Sequence, residues 1–502
     1  MPYVEETTQL FVYAMIPENR LKQLLPWIVA VAFFMESLDM TILNTAVPTI
    51  AAALKIKALS MKAVLASYTL SLALFIPISG WMADHFGTRK TFASAIAIFT
   101  LGSCLCGICQ DVHALVVCRI LQGMGGAMMV PVGRLTMVRT FPKSELVNAM
   151  SFVAIPALVG PLIGPALGGA IVEYFHWSVI FFLNIPIGCL GYYLVCKYIP
   201  DYHSEEQHPP DIAGLLLFGS GISLLSYVLE IFGEHSLSGS QILTLFIVSI
   251  LLLLLYGIKA TRTRFPLLEL KLFRYRTFTH AVAGGLLARI GIGGIPFLLP
   301  LLYQLGLGLS PLQAGLLMIP QALASISLKP QAAGLLNRFG YKWILVSNTL
   351  LVGLLIMSFA LINQETPMWM IVLAALCYGF FMSLQFTSMN TLVYADIHEE
   401  EASGASSIAS TVQQFATSLG VAVASLITAC FIPENAHSHL QTMIQGLHHG
   451  FLVMGGWTVL TSILFVGLKN NDGSTISMHK EHIAYVSRPP IRLSISRVRS
   501  DQ

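Results

Sequence analysis

The chain has 502 residues, of which 55% are hydrophobic and 11% charged, with a formal net charge of +3 and a mean hydropathy of +0.73. Soluble domains carry about 25% charged residues, so this composition excludes a water-soluble enzyme, and a surplus of three positive charges is too small to point to nucleic acid. A helix needs about 20 apolar residues to cross the hydrocarbon, so fourteen crossings use about 280 residues and leave only short loops and modest tails, with no room for a catalytic domain outside the bilayer.

In chain order, residues 1–26 are polar and mixed and do not read as a cleavable signal peptide. Six apolar stretches follow at 27–50, 63–83, 91–109, 114–137, 147–171 and 178–198. The polar segment Asp201 to Pro210 separates them from a pair at 211–231 and 241–258. Six more lie at 278–302, 310–330, 344–363, 368–391, 404–431 and 450–468, before a polar tail with Pro489-Pro490 and scattered arginines. The expected organisation is an all-α integral membrane protein with 14 transmembrane helices: an N-terminal six-helix bundle (1–200), two inserted helices and a linker (201–276), a C-terminal six-helix bundle (277–468) and a tail (469–502).

Basic residues set the orientation. Arg20, Lys22, Arg89, Lys90, Arg139, Lys143, the run Lys259 to Arg276, Arg338, Lys342 and the tail with Lys469, Lys480, Arg488, Arg492, Arg497 and Arg499 fall on one side, which places both termini in the cytoplasm. The opposing loops carry Asp111, Glu173, Glu234, Glu365 and Glu434, with Lys55, Lys57 and Lys62 as the exception.

The loop between the second and third stretches, Gly80-Trp81-Met82-Ala83-Asp84-His85-Phe86-Gly87-Thr88-Arg89-Lys90, has a degenerate copy after the tenth. There a small residue (Ala333), Asn337, Gly340 and Lys342 repeat Gly80, Asp84, Gly87 and Arg89 at the same spacing. Two related halves around a cavity are the architecture of alternating access. Gly80 permits close helix approach, Gly87 a tight turn, and Asp84 can cap a neighbouring helix or meet a base in the other half.

Charges inside the membrane mark candidate sites, because each is costly unless paired, hydrated or protonated. Asp39 lies mid-span with Glu36 three residues earlier, and Arg119 is the natural counter-charge at similar depth. These three are read as the proton-coupling group, against a static buried ion pair, with Glu36 read equally as a partner for a base nearer the cytoplasmic mouth. Arg289 sits halfway along the ninth stretch among glycines and, unable to shed its proton, needs a carboxylate, carbonyls, water or an anionic solute. Asn44, Gln122, Phe297, Tyr303, Gln304, Gln385 and Asn390 are the further candidates for a substrate cavity. Arg134, late in the fourth stretch, reads as gating or snorkelling. In the fifth, Gly160, Gly164, Gly168 and Gly169 make a smooth face and Pro161 and Pro165 weaken the backbone ladder, so the helix can slide against a partner or simply pack tightly.

Other motifs carry less. Cys104, Cys106 and Cys109 read as packing rather than a metal site, and Gly123-Met124-Gly125-Gly126 continues an apolar helix and is no nucleotide loop. His398-Glu399-Glu400-Glu401 reads as charge capping of a following helix. No metal or cofactor is expected, and without an ATP-hydrolysing motif the energy source is an ion gradient.

With these residues in view the chain resembles the major facilitator superfamily, in its fourteen-span drug:proton antiporter branch of EmrB/QacA-like transporters. Leu38-Asp39-Met40-Thr41-Ile42-Leu43-Asn44-Thr45-Ala46-Val47-Pro48 is similar to the branch's first-span motif, and residues 80–90 resemble the superfamily's gating loop. Arg119-Ile120-Leu121-Gln122-Gly123 resembles the fourth-span arginine motif. Gly160-Pro161-Leu162-Ile163-Gly164-Pro165-Ala166-Leu167-Gly168-Gly169 resembles the antiporter motif, with Ser151 where a leading glycine is common. Trp177-Ser178-Val179-Ile180-Phe181-Phe182-Leu183-Asn184-Ile185-Pro186 is like the branch's sixth-span entry. The stretch from Arg289 to Pro300 and Ser388-Met389-Asn390-Thr391-Leu392 look like a proteobacterial subgroup labelled as multidrug exporters.

The resemblance implies a coupling role for Arg119 and export rather than uptake. The expected protein is thus a proton-coupled antiporter of the bacterial inner membrane, not an enzyme. It moves small amphipathic molecules outwards, works as a monomer, and has protons, cargo and membrane lipids as its partners. Two deep arginines leave open an anionic or metal-chelating carboxylate cargo such as citrate, and proton-coupled uptake is the other alternative.

Overall fold

The computed structural model of the protein describes residues 18–141, 143–203, 209–231, 238–398, 401–431 and 440–473. The readings of Glu234, Glu399, Glu400, Glu434 and the tail beyond 473 fall outside these residues. Among the described residues there is helix and no strand, and thirteen stretches are long and apolar enough to cross a membrane.

The first six helices are α1 (Glu18–Ala53), α2 (Lys62–Phe86), α3 (Thr88–Ile108), α4 (Val112–Thr140), α5 (Lys143–Tyr174) and α6 (Val179–Tyr198). The 32-residue α5, interrupted by Pro156, Pro161 and Pro165, completes a set of fourteen long apolar helices. The next are α7 (Ile212–Ile231), α8 (Gly239–Arg262) and α9 (Arg276–Gly306). Helices α10 and α11 are the two arms of Pro311–Ser358 on either side of Gly340, and α12 (Met368–Leu392), α13 (Ala402–Cys430) and α14 (Leu440–Val466) complete the chain.

Three boundaries differ most from the sequence expectation, the first being the start of α1 at Glu18 rather than at 27. The last helix starts at Leu440 rather than near 450, because its first turns carry Gln441, Thr442, Gln445, His448 and His449, polar residues that hide a helix from a hydropathy reading. The expected loop between the tenth and eleventh stretches shrinks to one residue, Gly340, at φ 75° and ψ 161°. Gly87 has the same kind of conformation, φ 92° and ψ 150°, so the repeated glycines both occupy a left-handed position that side chains disfavour.

Helix α5 packs along α1, α4 against α2 and α3, and α6 against α3. In the second group α12 packs on the α10–α11 arms, α14 on the same arms and α9, and α13 on α9. The two groups meet where α5 touches α10 and α2 touches α13.

The α7–α8 pair lies outside both groups, with α7 against α13 and α2, while α8 presents Leu243, Phe246, Ile247, Leu251, Leu254 and Ile258 to lipid. One buried acid ties this pair to the linker. Asp211 accepts hydrogen bonds from the Gly214 N–H (2.8 Å), the Leu267 N–H (3.2 Å) and the Lys259 ammonium. Burial alone would raise its pKa, but the bonds from Lys259, Gly214 and Leu267 hold it below the usual carboxylate range. A depressed folded-state pKa stabilises above the unfolded value of 3.8 and is lost as pH falls through the folded value. Asp211→Ala is therefore expected to cost about 1.5–3 kcal/mol at neutral pH, the range for a hydrogen bond to a charged group, with a smaller difference from wild type below about pH 3. Thermal melts of both proteins against pH check it.

Candidate functional site

Asp39 of α1 is 1% exposed and Arg119 of α4 2% exposed, and Arg119 Nη1 donates to Asp39 Oδ2 at 2.6 Å. Gln122, one helical turn after Arg119, donates from Nε2 to Asp39 Oδ1 at 2.8 Å and accepts from Arg119 Nη1 at 2.9 Å. Asn184 of α6 donates from Nδ2 to Asp39 Oδ1 at 3.0 Å and to Ser103 Oγ at 3.0 Å, and Ser103 donates to the Phe181 carbonyl at 2.8 Å. The guanidinium also lies 4.2 Å from the Tyr68 ring centroid. Four helices, α1, α3, α4 and α6, are thereby pinned to one carboxylate. Such a pair is tolerated in a low-dielectric interior because Arg119 serves one carboxylate oxygen and the two amides serve the other.

Glu36 has the opposite environment. It is 7% exposed, and its Oε2 has no hydrogen-bond partner among the described residues. Arg134 faces Glu36 electrostatically from α4, and its guanidinium lies 6.0 Å from the Phe33 ring.

A cavity of about 370 Å³ lies between the two groups of helices. Thr41 and Asn44 of α1 and Pro161 and Pro165 of α5 form one wall. Pro296 of α9, Gln321, Ser325 and Lys329 of α10, Phe386 of α12 and Thr417 of α13 form the facing wall. Among the described residues Lys329 is the one charged residue on this lining, and no carboxylate is. Just behind Phe386, whose ring centroid is 5.4 Å from its guanidinium, lies Arg289. Arg289 donates to Asn390 Oδ1 at 2.5 Å and to Gln413 Oε1 at 3.3 Å, two neutral amides.

The cavity is sealed at one end by backbone contact between the two groups. A Cβ at Gly169 would stand 2.2 Å from the Pro311 carbonyl oxygen, and one at Gly315 would stand 2.2 Å from that of Pro165. Hydrogen bonds cross at the same end: Gln304 Nε2 to the Thr45 carbonyl (2.8 Å), Leu312 N–H to Glu173 Oε2 (3.0 Å) and Ser425 Oγ to the Leu59 carbonyl (3.1 Å). Towards the opposite end, a Cβ on Gly80 or Gly334 would meet no atom within 4 Å.

The fifth-span glycines divide between two tasks. Gly160, Gly164 and Gly168 press on α1, where a Cβ would come within 2.2 Å of Ser37 Oγ, 2.2 Å of Thr41 Oγ1 and 2.1 Å of the Ile42 carbonyl. Gly169 alone of the set reaches the other group of helices.

Several candidates lie elsewhere than the sequence reading put them. Gln122 is fully buried in the Asp39 node instead of the cavity, because its turn of α4 faces α1. Gln385 joins α12 to α11 through Asn348 and Thr349 at 2.9 and 2.7 Å. Phe297 and Tyr303 are fully buried in the apolar core, and Gln304 serves the seal. Asp84 pairs with Arg139 of its own half at 2.7 Å, and Arg89 lies 3.7 Å from Asp201 while donating its N–H to the same carboxylate at 3.1 Å. Asn337 and Lys342 stand on either side of the Gly340 turn.

Lys329, Asn184, Asp201 and Gly315 were not singled out from the sequence. Lys329 left a signal, a lone charge near the end of an apolar stretch, and Asn184 stands in the sixth-span motif. Asp201 and Gly315 left none.

The family model of the Major Facilitator Superfamily matches residues 29–421. The MdtD protein of Pectobacterium atrosepticum, provisionally named for multidrug resistance, is 40% identical over 88% of this chain and 93% of its own. Its namesake in Escherichia coli O81 is 42% identical over 93% of this chain and 98% of its own. Among solved structures, a peptide transporter bound to sulfate superposes with TM-score 0.66 at 14% identity, over 92% of this chain and 99% of that one. A D-xylose–proton symporter does so with TM-score 0.65 at 15% identity, over 89% and 98%. At these identities the structures speak for the fold alone, while the extent of the sequence matches settles membership: the chain is a secondary active transporter of the Major Facilitator Superfamily.

Proposed function

We propose that the protein is a proton-coupled exporter of the bacterial inner membrane, with both termini in the cytoplasm and with small amphipathic molecules as cargo. The carrying observation is the cavity between the halves, sealed at the end away from the basic loops and flanked by the buried Asp39–Arg119 node. The basic residues at 89–90, 338–342 and 259–276 orient the less occluded end towards the cytoplasm, where an exporter collects its cargo. The multidrug names of the MdtD relatives support export.

In this reading Asp39 and Glu36 share the coupling task. Asp39 holds Arg119 in place, and Glu36, without a donor on Oε2, is the acid free to exchange its proton as the halves rearrange. One charge crossing 100 mV is worth about 2.3 kcal/mol, enough for roughly a fiftyfold gradient.

A second reading has its own observation. Lys329 on the cavity wall, Arg289 behind Phe386 and a lining without acid among the described residues suit an anionic or zwitterionic cargo such as a citrate-like carboxylate or its metal chelate.

The deciding experiment reconstitutes the protein in proteoliposomes with an internal pH dye and adds lipophilic cations or citrate-like carboxylates. Substrate-triggered proton movement is expected with wild type, lost in Asp39→Asn and reduced about tenfold or more in Glu36→Gln with cargo binding retained. Unchanged proton movement in Asp39→Asn would sink the coupling scheme. A response to carboxylates alone, abolished by Lys329→Gln, selects the second reading.

A further inference from the structure

Away from the transport route, a second cavity of about 550 Å³ lies at the end of the bundle that bears the repeated loops. Three cations from separate elements converge on it: Arg276 opens α9, Lys342 follows the Gly340 turn, and Lys469 lies just beyond α14. Its depth is set by the chain itself. Arg276 is the first residue of one membrane-spanning stretch and Val466, also on the lining, the last residue of another. The cavity therefore sits where hydrocarbon gives way to headgroups.

The loop that forms its floor is built rather than loose. Gly473 at φ 84° lies so close to Tyr341 that a Cβ would come within 2.3 Å of the ring. Asp472 accepts from the Lys469 N–H at 2.8 Å and stands 3.9 Å from Arg276 Nε, and Arg276 also donates to the Gly467 carbonyl. Of the three cations, Arg276 alone has a carboxylate beside it among the described residues. Among the described residues the ammonium groups of Lys342 and Lys469 have no ion pair.

We propose that Arg276, Lys342 and Lys469 form a binding site for the phosphate headgroup of an anionic lipid. Lys342 and Lys469 supply the charge left uncompensated by Asp472, the exposed Val466 meets the start of the acyl chains, and the lipid bridges the start of α9, the Gly340 turn and the end of α14. The shared chemistry is a phosphate ester. The membrane-level position favours the lipid as its source over a soluble phosphate.

Native mass spectrometry of the full chain, stripped of lipid and titrated with cardiolipin, phosphatidylglycerol or phosphatidylcholine, tests the site. Wild type is expected to bind the two anionic lipids about tenfold or more tightly than phosphatidylcholine. Lys342→Gln/Lys469→Gln loses that preference. Lys342→Arg/Lys469→Arg keeps it, which separates lost charge from failed folding. Lys271→Gln, at an exposed cation paired with Glu269, also keeps it. Undiminished cardiolipin binding in the folded double glutamine variant overturns the site. Displacement of the lipid by inorganic phosphate overturns the lipid assignment in favour of a soluble phosphate.

Discussion

Arg119→Gln is expected to lower the stability of the folded transporter by about 3–5 kcal/mol and to abolish coupled transport. The magnitude follows from the node's burial. Asp39 is 1% exposed, and once the guanidinium is gone its carboxylate keeps only the neutral donors of Gln122 and Asn184. Removing one partner of a buried pair leaves an uncompensated charge, whereas removing both does not. The double variant Asp39→Asn/Arg119→Gln should therefore recover most of the lost stability and none of the coupling. Melting of the four proteins of this cycle, with proton movement measured in vesicles, separates the two effects. A double variant as unstable as Arg119→Gln alone would show that Arg119 supports the fold through Tyr68 packing rather than through its charge.

Gly315→Val is expected to hold the sealed end of the cavity open and to slow transport strongly. The Cβ would meet the Pro165 carbonyl, a backbone atom with no rotamer to move, and Gly169 meets Pro311 in the same way across the same seam. Overpacking of this kind costs about 1–3 kcal/mol and acts only on the conformation in which α5 and α10 touch, which shifts the conformational equilibrium by about 5- to 150-fold. Accessibility of a cysteine placed at Asn44, probed from each side of the membrane, reads the shift directly. Gly164→Val makes the contrast. That glycine presses on α1 within one half, so its substitution should destabilise the half without biasing which end is open. Equal accessibility changes from both variants would remove the seam's special role.

The contrast between those glycines marks what was legible and what was not. The spacing of Gly160, Gly164, Gly168 and Gly169 announces a close-packed helix face, because small residues at helical spacing permit backbone approach whatever the partner is. It does not name the partner. The first three meet α1, the fourth meets α10, and its counterpart Gly315 lies in an ordinary run of Leu, Gln and Ala. Likewise Gln122 has the look of a cavity residue because it is polar and deep, yet its turn of α4 points it at Asp39. Gln385, equally polar, serves the join between α11 and α12.

The membrane class and the helices were determined by the sequence alone, since length and hydropathy are properties of each segment and need no knowledge of its neighbours. The same holds for the turns at Gly87 and Gly340, whose backbone conformation is a local demand. The pairing of Asp39 with Arg119 was inferable from cost, because two mid-span charges of opposite sign have few other ways to be tolerated. Only the tertiary structure decided that Asn184 completes that node from 145 residues away, that Asp201 serves Arg89, and that Lys329 reaches the cavity wall. Each of these depends on how helices rotate and cross, and a helix's rotation is set by the surfaces it packs against rather than by its own residues.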